Sequence, residues 1–140
     1  MQDAFNLDRF VSAQSGVYAQ VLAELSEGRK RSHWIWFIFP QMKGLGRSAQ
    51  SEYYGIGSLA EASAYARHPL LGARLVECTQ RVNRVEGRTI GEILGSPDDL
   101  KFRSAMTLFS RAAEEATVFD EALAKYFHGE GDPLTLKLLR

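Results

Sequence analysis

The feature that most constrains the fold of this 140-residue chain is an uninterrupted apolar run, Trp34-Ile35-Trp36-Phe37-Ile38-Phe39. Neither a helical nor a strand period leaves one face of this run polar, so the rest of the chain has to enclose it. Its aromatic and Ile residues favour an extended segment, and Pro40 disfavours helical geometry at Phe39. A buried helical turn is the alternative, because the segments on both sides of the run have helical patterns. The run therefore predicts core, either as a short strand or as a turn of helix.

Helical periods dominate the remainder of the sequence. Seven segments have a helical pattern, either because apolar residues recur every three or four positions or because residues typical of helix starts and ends occur. These segments are 7–27, 58–68, 69–86, 89–94, 96–116, 120–128 and 132–139. Residues 41–50 read as loop, and 51–54 as one turn of helix. These patterns predict a single all-α domain over residues 1–140, a compact bundle of six to seven helices with at most one or two short extended segments.

Several residues have a predicted local role. Ser58 and Glu61 have the spacing of a capping box. Ser96 is expected to cap the next long helix, with Pro97 at its first position. Cys78 falls on an apolar helical stripe, which predicts a buried and unreactive thiol. Ser104 is expected on a helix surface that can line a cleft.

Charge and cysteine content exclude several classes of protein. Seventeen Lys and Arg residues balance seventeen Asp and Glu residues, and a net charge of zero disfavours nucleic acid as a partner. The single cysteine forbids an internal disulfide and indicates a reducing compartment. The sequence shows no secretory leader, and its longest apolar run is far shorter than the roughly 20 residues of a membrane-spanning helix. We therefore expect a cytoplasmic monomer or small homo-oligomer that does not associate with membranes.

Known cofactor and metal motifs are not evident. The three histidines, His33, His68 and His128, are far apart in sequence and form no HExxH pair, so no metal site is predicted. Glycine pairs at 44/46 and 55/57 lack the remaining residues of a phosphate-binding loop or a dinucleotide fingerprint, so no cofactor is predicted. The sequence leaves open whether the chain catalyses a reaction.

The segment 29–41 is the candidate functional site. In an extended conformation Trp34 and Trp36 share one face, on which a base or a sugar can stack. His33 can transfer a proton near neutral pH, and Gln41 can pair with an amide or a base edge. Three consecutive cations can bind phosphate or carboxylate: Arg29, Lys30 and Arg31. The competing interpretation is that the apolar run is only core and that the cations are a solvated helix end.

Four segments together resemble a bacterial family of domains of unknown function, number eighteen-ten, some of whose members carry a calpastatin label. The segments are GRKRSHWIWFIFPQMKGLGRS, SEYYGIGSLAEASAYARHPLLGARL, GSPDDLKFRSAMTLF and DPLTLKLL. The resemblance covers residues 6–139. It implies a mostly α-helical cytosolic domain, and it implies no activity.

A more distant resemblance concerns the NADAR proteins, which are associated with N-glycosidic bonds of riboflavin-pathway intermediates and ADP-ribosyl groups. The order of Ser51-Glu52-Tyr53-Tyr54, Met106 and Lys125-Tyr126-Phe127 is similar to theirs. This resemblance implies that Glu52 is an acidic catalytic residue and that Tyr54 and Lys125 contact the ligand. The opening motif of that family is not evident here.

Two functions from different classes are compatible with these patterns. The first is binding of, or N-glycosidic chemistry on, a nucleotide or ADP-ribosyl-like small molecule in a pocket walled by residues 29–41. His33 and Glu52 would then be the catalytic residues. The second is a non-catalytic interaction or oligomerisation module that uses the aromatic segment as its interface. The choice depends on whether the two indoles border a hollow or only pack in the core.

Overall fold

The computed structural model describes residues 3–140, and it confirms the all-α prediction for that range. The ten helices are α1 (Asp8–Gln14), α2 (Tyr18–Ser26), α3 (Ile35–Ile38), α4 (Ala49–Tyr53), α5 (Leu59–Arg67), α6 (Leu71–Arg84), α7 (Ile90–Leu94), α8 (Asp98–Ala112), α9 (Thr117–Phe127) and α10 (Pro133–Leu138). Six of them have seven residues or more, which is close to the predicted six to seven, and the others are single turns. Pairing of extended backbone within residues 3–140 is confined to one parallel bridge, between Met42 and Ile56.

The predicted single helix over residues 7–27 is wrong, because the chain breaks at Gly16. This residue has a φ of +83°, a left-handed conformation that glycine adopts without steric cost. Helix α1 ends before it and α2 starts at Tyr18. Phe10 in α1 and Val21 and Leu25 in α2 are nevertheless all fully buried. The apolar stripe was therefore correct, although two helices share it.

The apolar run forms the buried helical turn α3, and not an extended strand. The amide of Ile38 donates to the carbonyl of Trp34 (3.2 Å), and the amide of Phe39 donates to that of Ile35 (3.0 Å). Phe39 then leaves helical geometry, with φ −125° and ψ 72°, as expected before a proline. Its ring packs edge-on against Phe102 of α8, with ring centroids 4.9 Å apart. The prediction that this run lies in the core is confirmed for its four buried residues, Trp34, Ile35, Ile38 and Phe39, whereas Trp36 and Phe37 are half-buried.

Two predicted caps differ from the structure. Ser58 does accept a hydrogen bond from the amide of Glu61 (3.1 Å), but the Glu61 carboxylate turns away from Ser58 to the amide of Gly57 (3.0 Å). Ser96 does not cap α8, which begins at Asp98 with Pro97 immediately before it and without a side-chain cap. The first turn of α8 instead contains Asp98 and Asp99, whose negative charges stabilise the positive end of the helix dipole.

Helix α8 is the centre of the fold, since it packs against α3, α5, α7, α9 and α10. Seven of its side chains are buried: Phe102, Ser104, Ala105, Met106, Thr107, Leu108 and Phe109. Helix α6 covers the other side of the core against α2, α5 and α9, and its Cys78 is buried as predicted. No helix in residues 3–140 combines the length and the apolar character needed to cross a membrane.

Candidate functional site

The two tryptophans do not share a face, because residues two positions apart in a helical turn point in nearly opposite directions. Trp34 is 2% exposed, and its indole N–H donates to Glu24 Oε1 (3.0 Å). Trp36 is half-buried, its indole nitrogen has no hydrogen-bond partner among the described residues, and Lys101 Nζ lies 5.0 Å from its ring centroid. Trp34 is therefore part of the core, and only Trp36 lies near the surface.

Glu24, which sequence reasoning missed, holds the start of the 29–41 segment in place. This buried carboxylate accepts five hydrogen bonds, from Gln20 Nε2 (2.9 Å), the Arg31 amide (2.8 Å), the Ser32 amide (3.0 Å), Ser32 Oγ (2.6 Å) and Trp34 Nε1 (3.0 Å). Burial by itself raises the pKa of the carboxyl, but hydrogen bonds, led by those of Ser32 and Arg31, outweigh burial and lower the pKa to about 2. Glu24 is thus an ionised structural centre.

The side chains of Arg29, Lys30 and Arg31 lie in different environments and do not form one phosphate site. The Lys30 side chain is only 6% exposed and its Nζ lies 2.8 Å from Asp98 Oδ2. Arg31 forms an exposed ion pair with Glu27 (3.1 Å), and Arg29 is exposed. Lys30 therefore links its segment to the first turn of α8.

The residues that carry the NADAR resemblance are also dispersed. Glu52 is exposed, with its nearest cation, Lys43 Nζ, at 3.9 Å. The half-buried Tyr54 ring packs against two other aromatic rings of the core surface, those of Phe10 and Phe37. Lys125 Nζ donates to the carbonyls of Asn83 (2.6 Å) and Val85 (2.7 Å), so it closes the end of α6. His33 is exposed.

A shallow hollow of about 570 Å³ beside Glu52 is an unsuitable anion site. Its most prominent cation is Arg9, whose five N–H groups are all used within the protein. They donate to the carbonyls of Phe5, Asn6, Tyr53 and Gly55 and to the Glu61 carboxylate. No donor of this guanidinium is left for a ligand, so Arg9 joins α1 to the residues before α5.

A better candidate lies where the apolar segment ends. This cavity of about 380 Å³, which we name the Gln41 cleft, is formed by the 41–46 loop, the first turns of α8 and the start of α10. Its lining residues are Gln41, Leu45, Gly46, Pro97, Leu100, Lys101, Arg103, Ser104, Asp132 and Leu134. The volume is within the ~300–1,000 Å³ range of small-molecule sites. The expectation that Ser104 lines a cleft is confirmed.

Gln41 is the most unusual residue of the cleft. It is only 9% exposed, and its side-chain amide makes no hydrogen bond within residues 3–140, although its polar atoms are not fully enclosed and keep contact with solvent. Its backbone is fixed by the parallel bridge, in which the Ile56 amide donates to the Gln41 carbonyl (2.9 Å). Gly46 leaves room beside this side chain. A Cβ at position 46 would lie 2.3 Å from Ser51 Oγ and 3.4 Å from Gln41 Nε2. The loop therefore holds an unpaired amide donor and acceptor in the cleft.

Charged groups surround this amide. Lys101 Nζ lies 3.8 Å from Asp98 Oδ1 and over the Trp36 ring, so two neighbours orient it. Arg103 Nε donates to the Glu130 carbonyl (3.1 Å). Asp132 Oδ2 lies 3.3 Å from Ser104 Oγ, whose single proton is shared with the Leu100 carbonyl (3.1 Å). The cleft thus combines two cations, an amide and a carboxylate, which is a set suited to binding an anionic polar molecule.

Comparisons with known proteins agree with this all-helical architecture. The family described as Protein of unknown function (DUF1810) matches residues 4–139. The chain is also similar to the conserved hypothetical protein Rv1873 from Mycobacterium tuberculosis, known from a crystal structure at 1.38 Å. The two are 56% identical, with 98% of each chain covered and a TM-score of 0.96. No curated protein matches the chain. The protein described here belongs to the DUF1810 family.

Proposed function

We propose that this protein binds a small anionic, nucleotide-like molecule in the Gln41 cleft. The observation that carries the proposal is the Gln41 amide, which is 9% exposed and unpaired within residues 3–140. Solvent can pair with this amide in the unbound protein, because its polar atoms are not fully enclosed. A ligand that pairs with both its donor and its acceptor replaces that solvent, and the edge of a nucleobase offers such a pair.

The rest of the cleft is complementary to the other parts of such a ligand. Lys101 and Arg103 supply positive charge for a phosphate group. Leu100 and Leu134, which are 58% and 62% exposed, form apolar walls against which a base can lie. Exposed leucines of this kind raise the free energy of the unbound surface, and a flat apolar ring would cover them.

The proposal is limited to binding. His33 and Glu52, the expected proton-transfer residues, do not line the Gln41 cleft. The carboxylate that does line it, Asp132, has one oxygen bonded to Thr135 and Ser104. N-glycosidic chemistry would require a group able to exchange a proton with the leaving base, and Gln41, the residue proposed to pair with the base, cannot ionise.

Calorimetric titration with AMP and with ADP-ribose tests the proposal. We expect saturable binding, and we expect Gln41→Met and Lys101→Met each to weaken it about tenfold, the effect of losing one strong hydrogen bond or charge contact. Trp36 emission should change on binding, because Lys101 lies over its ring. Arg111→Met is the matched control, since Arg111 is an exposed cation in the last turn of α8. Absence of heat and of any emission change at millimolar ligand would exclude this function.

A second candidate function is association through the leucines around the cleft. Leu100, Leu134 and Leu138 are 58%, 62% and 47% exposed, and Leu138 lies one helical turn beyond Leu134 on α10. The aromatic segment, in contrast, is mostly enclosed and offers little interface. Light scattering decides between the two functions: we expect a monomer for the binding protein, whereas a dimer that dissociates in Leu134→Asp would establish an interface.

A further inference from the structure

We propose that Asp132 recognises a hydroxyl group of the ligand, so that the Gln41 cleft selects ribosyl compounds over analogues that lack the ring hydroxyls. This inference rests on the proposed function and names the class of ligand more narrowly. It is derived from one carboxylate whose two oxygens have different environments.

One oxygen of Asp132 is saturated by the protein. Oδ2 accepts hydrogen bonds from the Thr135 amide (2.9 Å), Thr135 Oγ1 (2.6 Å) and Ser104 Oγ (3.3 Å). The Asp132 amide in turn donates to Thr107 Oγ1 (2.8 Å). These four contacts fix both the backbone and the side chain, so the position of the second oxygen is also fixed.

The second oxygen, Oδ1, accepts no hydrogen bond from residues 3–140, although Asp132 lines the cleft. An ionised carboxylate has about four lone-pair positions and no donor, so it can pair only with an O–H or N–H group. A phosphate placed against it would be repelled. The anionic part of the ligand therefore lies toward Lys101 and Arg103, and a neutral donor lies toward Asp132.

A ribosyl phosphate has both parts at a suitable separation, since its ring hydroxyls are a few bonds from the phosphate. Carboxylates recognise ribose hydroxyls in this way in dinucleotide-binding proteins. In the bound complex the base would pair with Gln41, the phosphate would face Lys101, and a ribose hydroxyl would donate to Asp132 Oδ1. A dideoxy analogue lacks only the last interaction.

Asp132 also caps α10, and the choice of substitution has to separate the two roles. The Asn side chain retains one oxygen that can accept the bonds of Thr135, and Asn is as good a helix cap as Asp. Its second polar group is an NH₂, which donates. Asp132→Asn therefore keeps the cap and replaces the free acceptor with a donor. Asp132→Ser also caps and removes the second acceptor altogether.

The experiment is calorimetry with AMP and 2′,3′-dideoxy-AMP on the full chain. We expect the native protein to prefer AMP by about tenfold or more, the effect of a hydrogen bond to a charged group. In Asp132→Ser the preference should fall below about twofold, because only AMP loses an interaction. In Asp132→Asn the preference should fall less, because the NH₂ group can donate to the hydroxyl oxygen. Asp120→Asn is the matched control, since Asp120 is exposed in the first turn of α9 and does not line the cleft. It should keep the full preference.

The outcomes separate this inference from the proposed function. Equal binding of both nucleotides by the native protein overturns the role of Asp132 and leaves nucleotide binding intact. An undiminished preference in folded Asp132→Ser overturns it as well. Failure of the native protein to bind either nucleotide overturns the proposed function, and the inference with it. Circular dichroism on both variants establishes that they are folded.

Discussion

Replacing Glu24 with Ala is expected to lower the free energy of unfolding by about 3–5 kcal/mol, because several enclosed donors lose one shared acceptor. The substitution leaves the indole N–H of Trp34 and the amides of Arg31 and Ser32 without their acceptor. Each such donor costs ~1–3 kcal/mol when it stays enclosed, although partial access of water reduces the sum. Urea unfolding followed by far-ultraviolet circular dichroism measures the difference.

The same carboxylate should make the protein sensitive to acid. Its pKa is lowered from 4.5 to about 2 in the folded protein. A group with a lowered pKa stabilises the fold fully above its unfolded pKa, and the stabilisation is lost as the pH falls toward the folded value. We therefore expect the contribution of Glu24 to decline between about pH 4.5 and pH 2.

Glu24→Gln is the control for this effect, because it keeps the size of the side chain and removes the ionisation. Its stability should be lower than that of the native protein at pH 7, and the difference should shrink on titration to pH 2. A pH-independent difference, or a native stability in Glu24→Ala, would contradict the assignment of Glu24 as the centre that holds residues 31–34.

The sequence predicted those parts of the fold that depend on local pattern. Apolar stripes identified the buried faces of α6 and α8, and the run 34–39 identified part of the core. Local pattern could not show the break at Gly16, because the stripe continues across it in α2. It also could not decide between strand and helix for six apolar residues, since burial on all sides removes the periodicity that distinguishes them.

The candidate site was predictable only in part. Gln41 was named from its chemistry, and the structure places it in the cleft, where its ligand remains a prediction. Lys101 and Asp132 were missed as lining residues because they come from helix starts far along the chain, which only tertiary packing brings to the 41–46 loop. Glu24 was missed because it is a single acidic residue near a helix end, where a solvated side chain is the usual expectation.

Substitution by Met is expected to destabilise the protein at Lys30 and to have little effect at Arg31, and this difference tests how the cationic run is used. Lys30→Met removes the partner of Asp98 from a pair whose side chains are 6% and 17% exposed. We expect a loss of about 2 kcal/mol in unfolding free energy. This is below the ~3–5 kcal/mol of a fully enclosed pair, because Lys101 remains 3.8 Å from the same carboxylate. Urea denaturation gives the value.

Arg31→Met is the matched control, since it removes a neighbouring cation whose pair with Glu27 is 61% and 51% exposed. Pairs of this kind contribute roughly 0–1 kcal/mol, so the change should be below about 0.5 kcal/mol. If Lys30 instead contacted a phosphate, Lys30→Met would weaken AMP binding and leave the unfolding free energy unchanged. If Lys30 has a structural role, Lys30→Met lowers the unfolding free energy. It then weakens AMP binding only slightly, because the surroundings of Lys101 change. The two measurements on one variant therefore distinguish a cation that holds the segment on α8 from one that binds the ligand.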